Sequence, residues 1–469
     1  MEKSSLFQLI TTLTPIEKRE LRKFLRSPYF NQREDLAVLF ELLAQYTTPP
    51  SKEEIWQQVQ PDVAYDDQKM RLLMSYLLQL MERYFIIKEL ESNPLEANLM
   101  LSIAYRKRAL PDAFERVQKD LDRNLQKQPL RDESFYGLQH RLQWARFQTV
   151  YVKNPTEIAL LHTISDTADV EYLIRKLRLF CLRTAHQSVY PSEQNDMDWA
   201  QPIIAQAEKQ DLKAHPALEV YLLCYYMLSF PEQELHFKNF KNALFVHALR
   251  FNLEEMHGLY IWAINFCVRC LNAGKAEYLQ EVLDLYKEGL LKGYLFENGI
   301  LSRFTYHNIV AAGLQAGELD WVRYFINEFK HKLEKKYRES AFSFNLARLE
   351  YASKHYDFVL ELLQKTNYRD PLRNLAAKTL LLKTYYETNA FDALQSHLDA
   401  MRNYIHRKHV LGYHRSNYLN VIKYTEKLMH TDLRNRKAVE RLWQEIEAEK
   451  ILTEKGYFEK ILHADLYQD

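Results

Sequence analysis

The chain has 469 residues, 47% of them hydrophobic and 27% charged, a composition that belongs to a folded protein and excludes general disorder. Its 63 Lys and Arg stand against 62 Asp and Glu, so a formal charge of +1 supplies no global field toward nucleic acid or membrane. Only 10 residues are glycine, where about 7% is usual, which excludes a fold rich in tight β-turns or glycine-rich phosphate loops and leans to helix.

Four cysteines in a chain this long do not make a disulfide framework, which points to a reducing compartment. At the N-terminus, polar residues interrupt the apolar stretch and no small-residue cleavage site follows, so no signal peptide is read there. The most apolar runs, Tyr221–Phe230 and Tyr260–Val268, fall short of the roughly 20 residues a membrane span needs. The expectation is a soluble, cytoplasmic, all-α protein.

Taken in chain order, Thr14-Pro15-Ile16-Glu17 reads as a capping box with proline at the first helical position, and Ser51 and Glu54 repeat that logic. Prolines at 28, 49, 50, 61 and 94 cut the first 95 residues into short helices and one long one, predicted over Asp66–Glu91. Along it Met70, Leu73, Met74, Leu77, Leu80, Met81, Tyr84 and Phe85 recur at helical spacing. No alternating run is long enough to argue a strand. Asn93-Pro94 marks the end of an N-terminal helical domain over residues 1–93. Residues 94–213 stay helical without a clear repeat, broken at Pro111, Pro129, Asn154-Pro155 and Pro191. Residues 214–405 carry helical hairpins, and residues 406–469 are expected to form a C-terminal helical cap running through Trp443 to Leu462.

The hairpins repeat. Within Phe344–Pro371, Leu346 and Ala347 make a large-then-small pair, Tyr356-Asp357 opens a second helix, Val359 and Leu363 fill its core slots, and Asp370-Pro371 closes the unit. The same slots recur 35 residues later at Leu381, Phe391-Asp392, Leu394 and Leu398, and 37 residues earlier at Ile309, Leu319-Asp320, Val322 and Ile326. A further 43 residues back they hold Phe266-Cys267, Ala276-Glu277, Leu279 and Leu283, and the turn at Leu271–Gly274 matches that at Leu314–Gly317. This pattern resembles the tetratricopeptide repeat in degenerate form, over about residues 260–405. The resemblance implies an α-α superhelix whose first helices line a concave groove. On that reading Leu271 and Asn272, His307 and Leu314, Phe344, Arg348 and Tyr351, and Lys383, Tyr386 and Glu387 face a bound peptide. Such aromatic, amide and basic groups suit an extended segment, although aromatics are core residues as often as contacts. The N-terminal LRKFLRSPYF and the later YLIRKLRLFCLRTAHQSVY resemble segments of long bacterial helical proteins, a resemblance that implies no activity.

Sites of chemistry are sparse. Cys267-Val-Arg-Cys270 is a lone CxxC with no second pair at ligand spacing, and Cys267 falls in a small-residue slot, so a packing role outweighs a redox or zinc role. His406, His409 and His414 lie among arginine and lysine with no carboxylate close by, which disfavours a cation. No Walker, H-E-x-x-H or G-x-S-x-G motif occurs, and no nucleophile has a neighbouring base, so neither an enzyme nor a cofactor is expected. One basic region stands out: residues 402–437 hold nine Lys and Arg against two Asp and Glu, namely Arg402, Arg407, Lys408, Arg415, Lys423, Lys427, Arg434, Arg436 and Lys437. Tyr404, Tyr413, Tyr418 and Tyr424 are interleaved, a combination that can neutralise phosphates and stack on bases. The segment Glu17–Arg26 is a weaker version of the same idea. The expected role is a non-catalytic protein- or peptide-binding scaffold. The alternative is a nucleic-acid-associated regulator working through the basic region, which salt would weaken steeply.

Overall fold

In the computed structural model, which describes residues 4–153, 158–189, 200–364, 370–408 and 412–463, the chain is all-α. The breaks expected at Asn154-Pro155 and Pro191, residue His409, and residues 365–369 of the clearest repeat lie outside the described residues. None of the described helices is long and apolar enough to cross a membrane. The chain divides into two compact units, Met1–Lys176 and Leu177–Asp469.

The first unit begins with α1 (Ser5–Thr12), α2 (Pro15–Leu25), α3 (Glu34–Leu43), α4 (Lys52–Val59) and α5 (Asp67–Ser92). Thr14 and Glu17 close the capping box of α2 in both directions, while at α4 only the Ser51 half forms, accepting from the Glu54 N–H at 3.1 Å. These helices share one core, in which Met70, Leu73, Leu77 and Met81 of α5 meet Leu21, Leu39, Phe40 and Ile55. Leu80 and Phe85 are only partly buried at its edge, because the buried stripe of a straight helix is narrower than its whole apolar content. Next come α6 (Pro94–Lys107), α7 (Pro111–Lys127) and α8 (Glu133–Lys153); α6 and α7 pack as a hairpin. The division between units falls inside α9 (Ala159–Val189).

The second unit continues through α10 (Ala200–Glu208), α11 (Pro216–Ser229), α12 (Glu234–Val246), α13 (Leu253–Asn272), α14 (Tyr278–Lys292), α15 (Arg303–Gln315) and α16 (Leu319–Glu328). It is completed by α17 (Arg338–Ala352), α18 (Tyr356–Gln364), α19 (Pro371–Glu387), α20 (Phe391–Arg407), α21 (Gly412–Met429), α22 (Arg436–Ala448) and α23 (Lys455–Leu462). Helices α11 to α20 pair in order as five antiparallel hairpins, each packed on the next. The first helices also touch one another directly, α15 with α17, α17 with α19, and α19 with α21. The sequence slots explain this packing: Ile309, Val322, Ile326, Ala347, Val359, Leu394 and Leu398 are all fully buried. Helix α14 starts at Tyr278, two residues later than its repeat slot, and Val282 instead of Leu279 takes the buried position.

A recurring turn joins four of these hairpins. Gly274, Gly317, Lys354 and Asn389 are all left-handed, with φ of 87°, 75°, 61° and 56°, and are spaced by 43, 37 and 35 residues. After each, an N–H reaches back five residues: Lys275 to Cys270 at 3.0 Å, Glu318 to Gly313 at 3.0 Å, His355 to Glu350 at 2.8 Å and Ala390 to Tyr385 at 2.9 Å. This is a Schellman stop, which satisfies the last carbonyls of the first helix and aims the chain into the second. The same stop closes α6, where Ala109 has φ 54° and the Leu110 N–H bonds the Tyr105 carbonyl at 3.1 Å. Helices α15 and α16 approach closely because Gly313 has no side chain; a Cβ there would lie 2.4 Å from Val322 Cγ2. A two-residue antiparallel ribbon, β1 (Phe296–Glu297) with β2 (Ile300–Leu301), precedes α15. Asn298-Gly299 supplies its two left-handed turn residues, φ 51° and 77°, a hairpin signal too short to register as alternation.

Candidate functional site: the first-helix face

Asn272 apart, the residues expected to line a groove fall into three kinds of environment. Two are interior. His307 is 6% exposed and Phe344 is buried, their rings edge-to-face at 5.7 Å. Asn345, itself fully buried, donates from Nδ2 to His307 Nδ1 at 2.7 Å and to the Ala341 carbonyl at 2.8 Å. The imidazole nitrogen therefore accepts and the ring is neutral; burial, then Arg373, holds its pKa down to about 3. Both residues pack between α15 and α17, so neither offers a free surface.

A second group meets the chain's own C-terminal segment. Lys383 of α19 pairs with Glu454 and lies over the Tyr457 ring at 4.7 Å. The Thr453 N–H donates to Asn417 Oδ1 at 2.8 Å, and Asn420 Nδ2 to the Ile451 carbonyl at 3.0 Å, which fastens the same segment to α21. Tyr351 donates to Glu387 at 3.4 Å, and burial followed by the Glu387 carboxylate pushes its hydroxyl pKa well up. Burial likewise raises Tyr457, next to Tyr351, Glu387 and Tyr386, and its hydroxyl has no hydrogen-bond partner among the described residues. Tyr386 packs edge-to-face on Phe391 at 6.0 Å. The residues from Ile451 to Tyr457 thus occupy the part of the face that Lys383, Tyr351 and Tyr386 were expected to present.

The third group is cationic, and the sequence reading named only Arg348 of it. Arg348 donates to the His307 carbonyl at 3.2 Å and to Asn345 Oδ1 at 3.4 Å, both neutral acceptors. Arg303 stacks over Tyr337 at 4.1 Å and Phe304 at 4.8 Å, with Asp370 Oδ2 at 3.8 Å. Arg373 also lies over the Phe304 ring, at 5.8 Å. Desolvation and then mutual repulsion lower two of these cations: Arg348 to about 10 through Arg373, and Arg373 through Arg303. The signal in the sequence was positional. Arg303 opens α15 and Arg373 is the third residue of α19, both near N-termini where positive charge is locally unfavourable. Asn272, by contrast, sits at the end of α13, exposed beside a separate cleft of about 300 Å³ lined by Trp262, Asn265 and Arg269.

Three cations of the basic region are held by neighbouring side chains. Arg402 is tied to Asp399 at 3.0 Å and Glu426 at 2.7 Å, Lys427 pairs with Glu445, and Lys423 covers the Tyr424 ring at 4.7 Å. Tyr404 and Tyr424 are buried and Tyr418 is half-buried, so of the four interleaved tyrosines only Tyr413, 53% exposed, is open to solvent, its ring edge-to-face with His414 at 5.7 Å. Arg407, Lys408, Arg415, Arg434, Arg436 and Lys437 are exposed. In the weaker N-terminal version, Arg22 and Arg26 share Glu41 at 2.8 and 3.7 Å.

Cys267 and Cys270 are free and buried, and desolvation raises both thiol pKa values, which suppresses the thiolate. Among the described residues no group of three or more His, Cys, Asp or Glu could hold a metal ion. Fold and face together define an all-α protein of stacked helical hairpins. Comparison with protein-family models, with curated proteins and with solved structures finds no match.

Proposed function

We propose that the second unit is a non-catalytic interaction scaffold of the tetratricopeptide kind, holding a protein or peptide segment in a groove made by the first helices. One observation carries this reading: the face already lodges a short connecting segment of the chain, a bend and turn that lead into α23. Residues Ile451 to Glu454, between α22 and α23, and Tyr457 in the first turn of α23 lie against α19 and α21 through an ion pair, backbone-to-amide hydrogen bonds and a cation–π contact. Those are the interactions by which a repeat groove grips a foreign segment. Beyond this stretch the face continues to Phe304, 57% exposed, and the arginines beside it.

Binding through the face is tested by co-purification at low and high salt, with nuclease treatment, for the native chain and for Phe304→Ser. A discrete protein that persists at high salt and is lost from Phe304→Ser supports the scaffold. Nucleic acid that vanishes at high salt and ignores Phe304→Ser favours the six exposed cations of the basic region instead.

A further inference from the structure

We propose that Arg303, Arg348 and Arg373 form a binding site for a phosphomonoester dianion, carried either on a phosphorylated side chain or on a small phosphate ester. This goes beyond the scaffold reading, because a free ester satisfies the site as well as a protein does.

The argument begins with unmet charge. Elsewhere in the unit, five partly buried cations meet a carboxylate: Lys241 with Glu281, Lys287 with Glu318, Arg323 with Glu350, Lys383 with Glu454 and Arg402 with Glu426. Among the described residues the only carboxylate within 4 Å of the arginine cluster is Asp370, near Arg303, and it also caps α19 through the Leu372 and Arg373 N–H groups. Glu454 is engaged by Lys383. Three guanidiniums against one carboxylate leave a local excess of two positive charges, since the neighbouring His307 is neutral. A phosphomonoester carries close to two negative charges near neutral pH and a carboxylate only one.

Geometry agrees with charge. A guanidinium offers five N–H donors in a planar fork suited to phosphate oxygens. Arg348 uses its Nη1 on neutral oxygens, Arg303 is beyond hydrogen-bond distance of Asp370, and Arg373 meets no side-chain acceptor among the described residues. The rings of Phe304 and Tyr337 hold Arg303 in place, and Phe304 holds Arg373, without neutralising either. Cations that repel one another at partly buried positions cost stability, and they are retained most simply for an anion that binds between them.

The test is calorimetric titration of the full chain with inorganic phosphate, O-phosphoserine and ribose 5-phosphate, against acetate at matched ionic strength. The expected result is binding of phosphate in preference to acetate, weakened about tenfold or more by Arg373→Gln and by Arg303→Gln. Arg373→Lys, which keeps the charge but removes the fork, should fall between; circular dichroism on each variant separates lost binding from lost folding. A phosphoserine-containing peptide that binds more tightly than ribose 5-phosphate assigns the dianion to a protein partner, and the reverse order assigns it to a small ester. Equal binding of acetate and phosphate, or folded arginine variants that bind phosphate unchanged, overturns the proposal. Phosphate binding without any protein at the first-helix face leaves this site standing and removes the scaffold reading.

Discussion

The two ends of the first-helix face are made of similar residues and treated oppositely. Around Lys383, Tyr351 and Tyr386 the Lys383 charge is matched by Glu454 and a segment of the chain lies on top. Around Arg303, Arg348 and Arg373 the cations face neutral oxygens and aromatic rings. Basic and aromatic composition therefore does not say whether a face is open. What decides is whether another part of the chain supplies the counter-charge, and at the covered end Glu454, 71 residues from Lys383, does so.

The largest expected effect breaks the covered end from beneath. Phe458 is fully buried in the core that anchors α23, and Phe458→Ala should lower unfolding stability by about 3–5 kcal/mol. Denaturant titration measures this, and the loss should be accompanied by faster hydrogen exchange at Thr453, whose amide bonds Asn417.

Acid should weaken the arginine end next. His307 is neutral in the folded chain with its pKa lowered to about 3, so the unfolded chain binds the extra proton. The stability this gives is complete above about pH 6.5 and is lost progressively as pH falls from there toward 3. At pH 5 the expected loss is about 2 kcal/mol. His307→Gln, which cannot titrate, should flatten that limb of a stability-versus-pH curve.

Two substitutions sharpen the contrast between the ends. Lys383→Met leaves Glu454 without its cation and should cost about 1–2 kcal/mol. Arg373→Gln removes a cation that has repulsive neighbours and should leave stability unchanged or raise it by about 0.5 kcal/mol, more at low salt. A thermal melt of both variants in low and high salt checks the opposite signs.

Much of the fold was legible because helix punctuation is local. The Thr14 cap and Asn93-Pro94 could be read from neighbouring residues, as could the buried repeat slots from Ile309 to Leu398. Two of the four matching turns were legible from Gly274 and Gly317; Lys354 and Asn389 occupy the same left-handed position but do not announce it. The turn at Ala109 was hidden for the same reason, so the hairpin of α6 and α7 left no visible repeat. The candidate site was less legible. Periodicity could place His307 and Phe344 on first helices but not say that their rings turn inward. Nor could it show Glu454 reaching Lys383, or bring Arg303, Arg348 and Arg373 together from three helices, because those are pairings between distant parts of the chain.

The central claim, that the first-helix face takes up a segment of another protein, is met most directly by site-specific photo-crosslinking. A benzophenone amino acid is placed at Phe304, exposed on α15, and in a parallel sample at Tyr324, 59% exposed on the second helix of the same hairpin. The account predicts a discrete protein adduct from position 304 that survives high salt, and none from position 324. Adducts from position 324 alone, or equal and indiscriminate adducts from both, would contradict it.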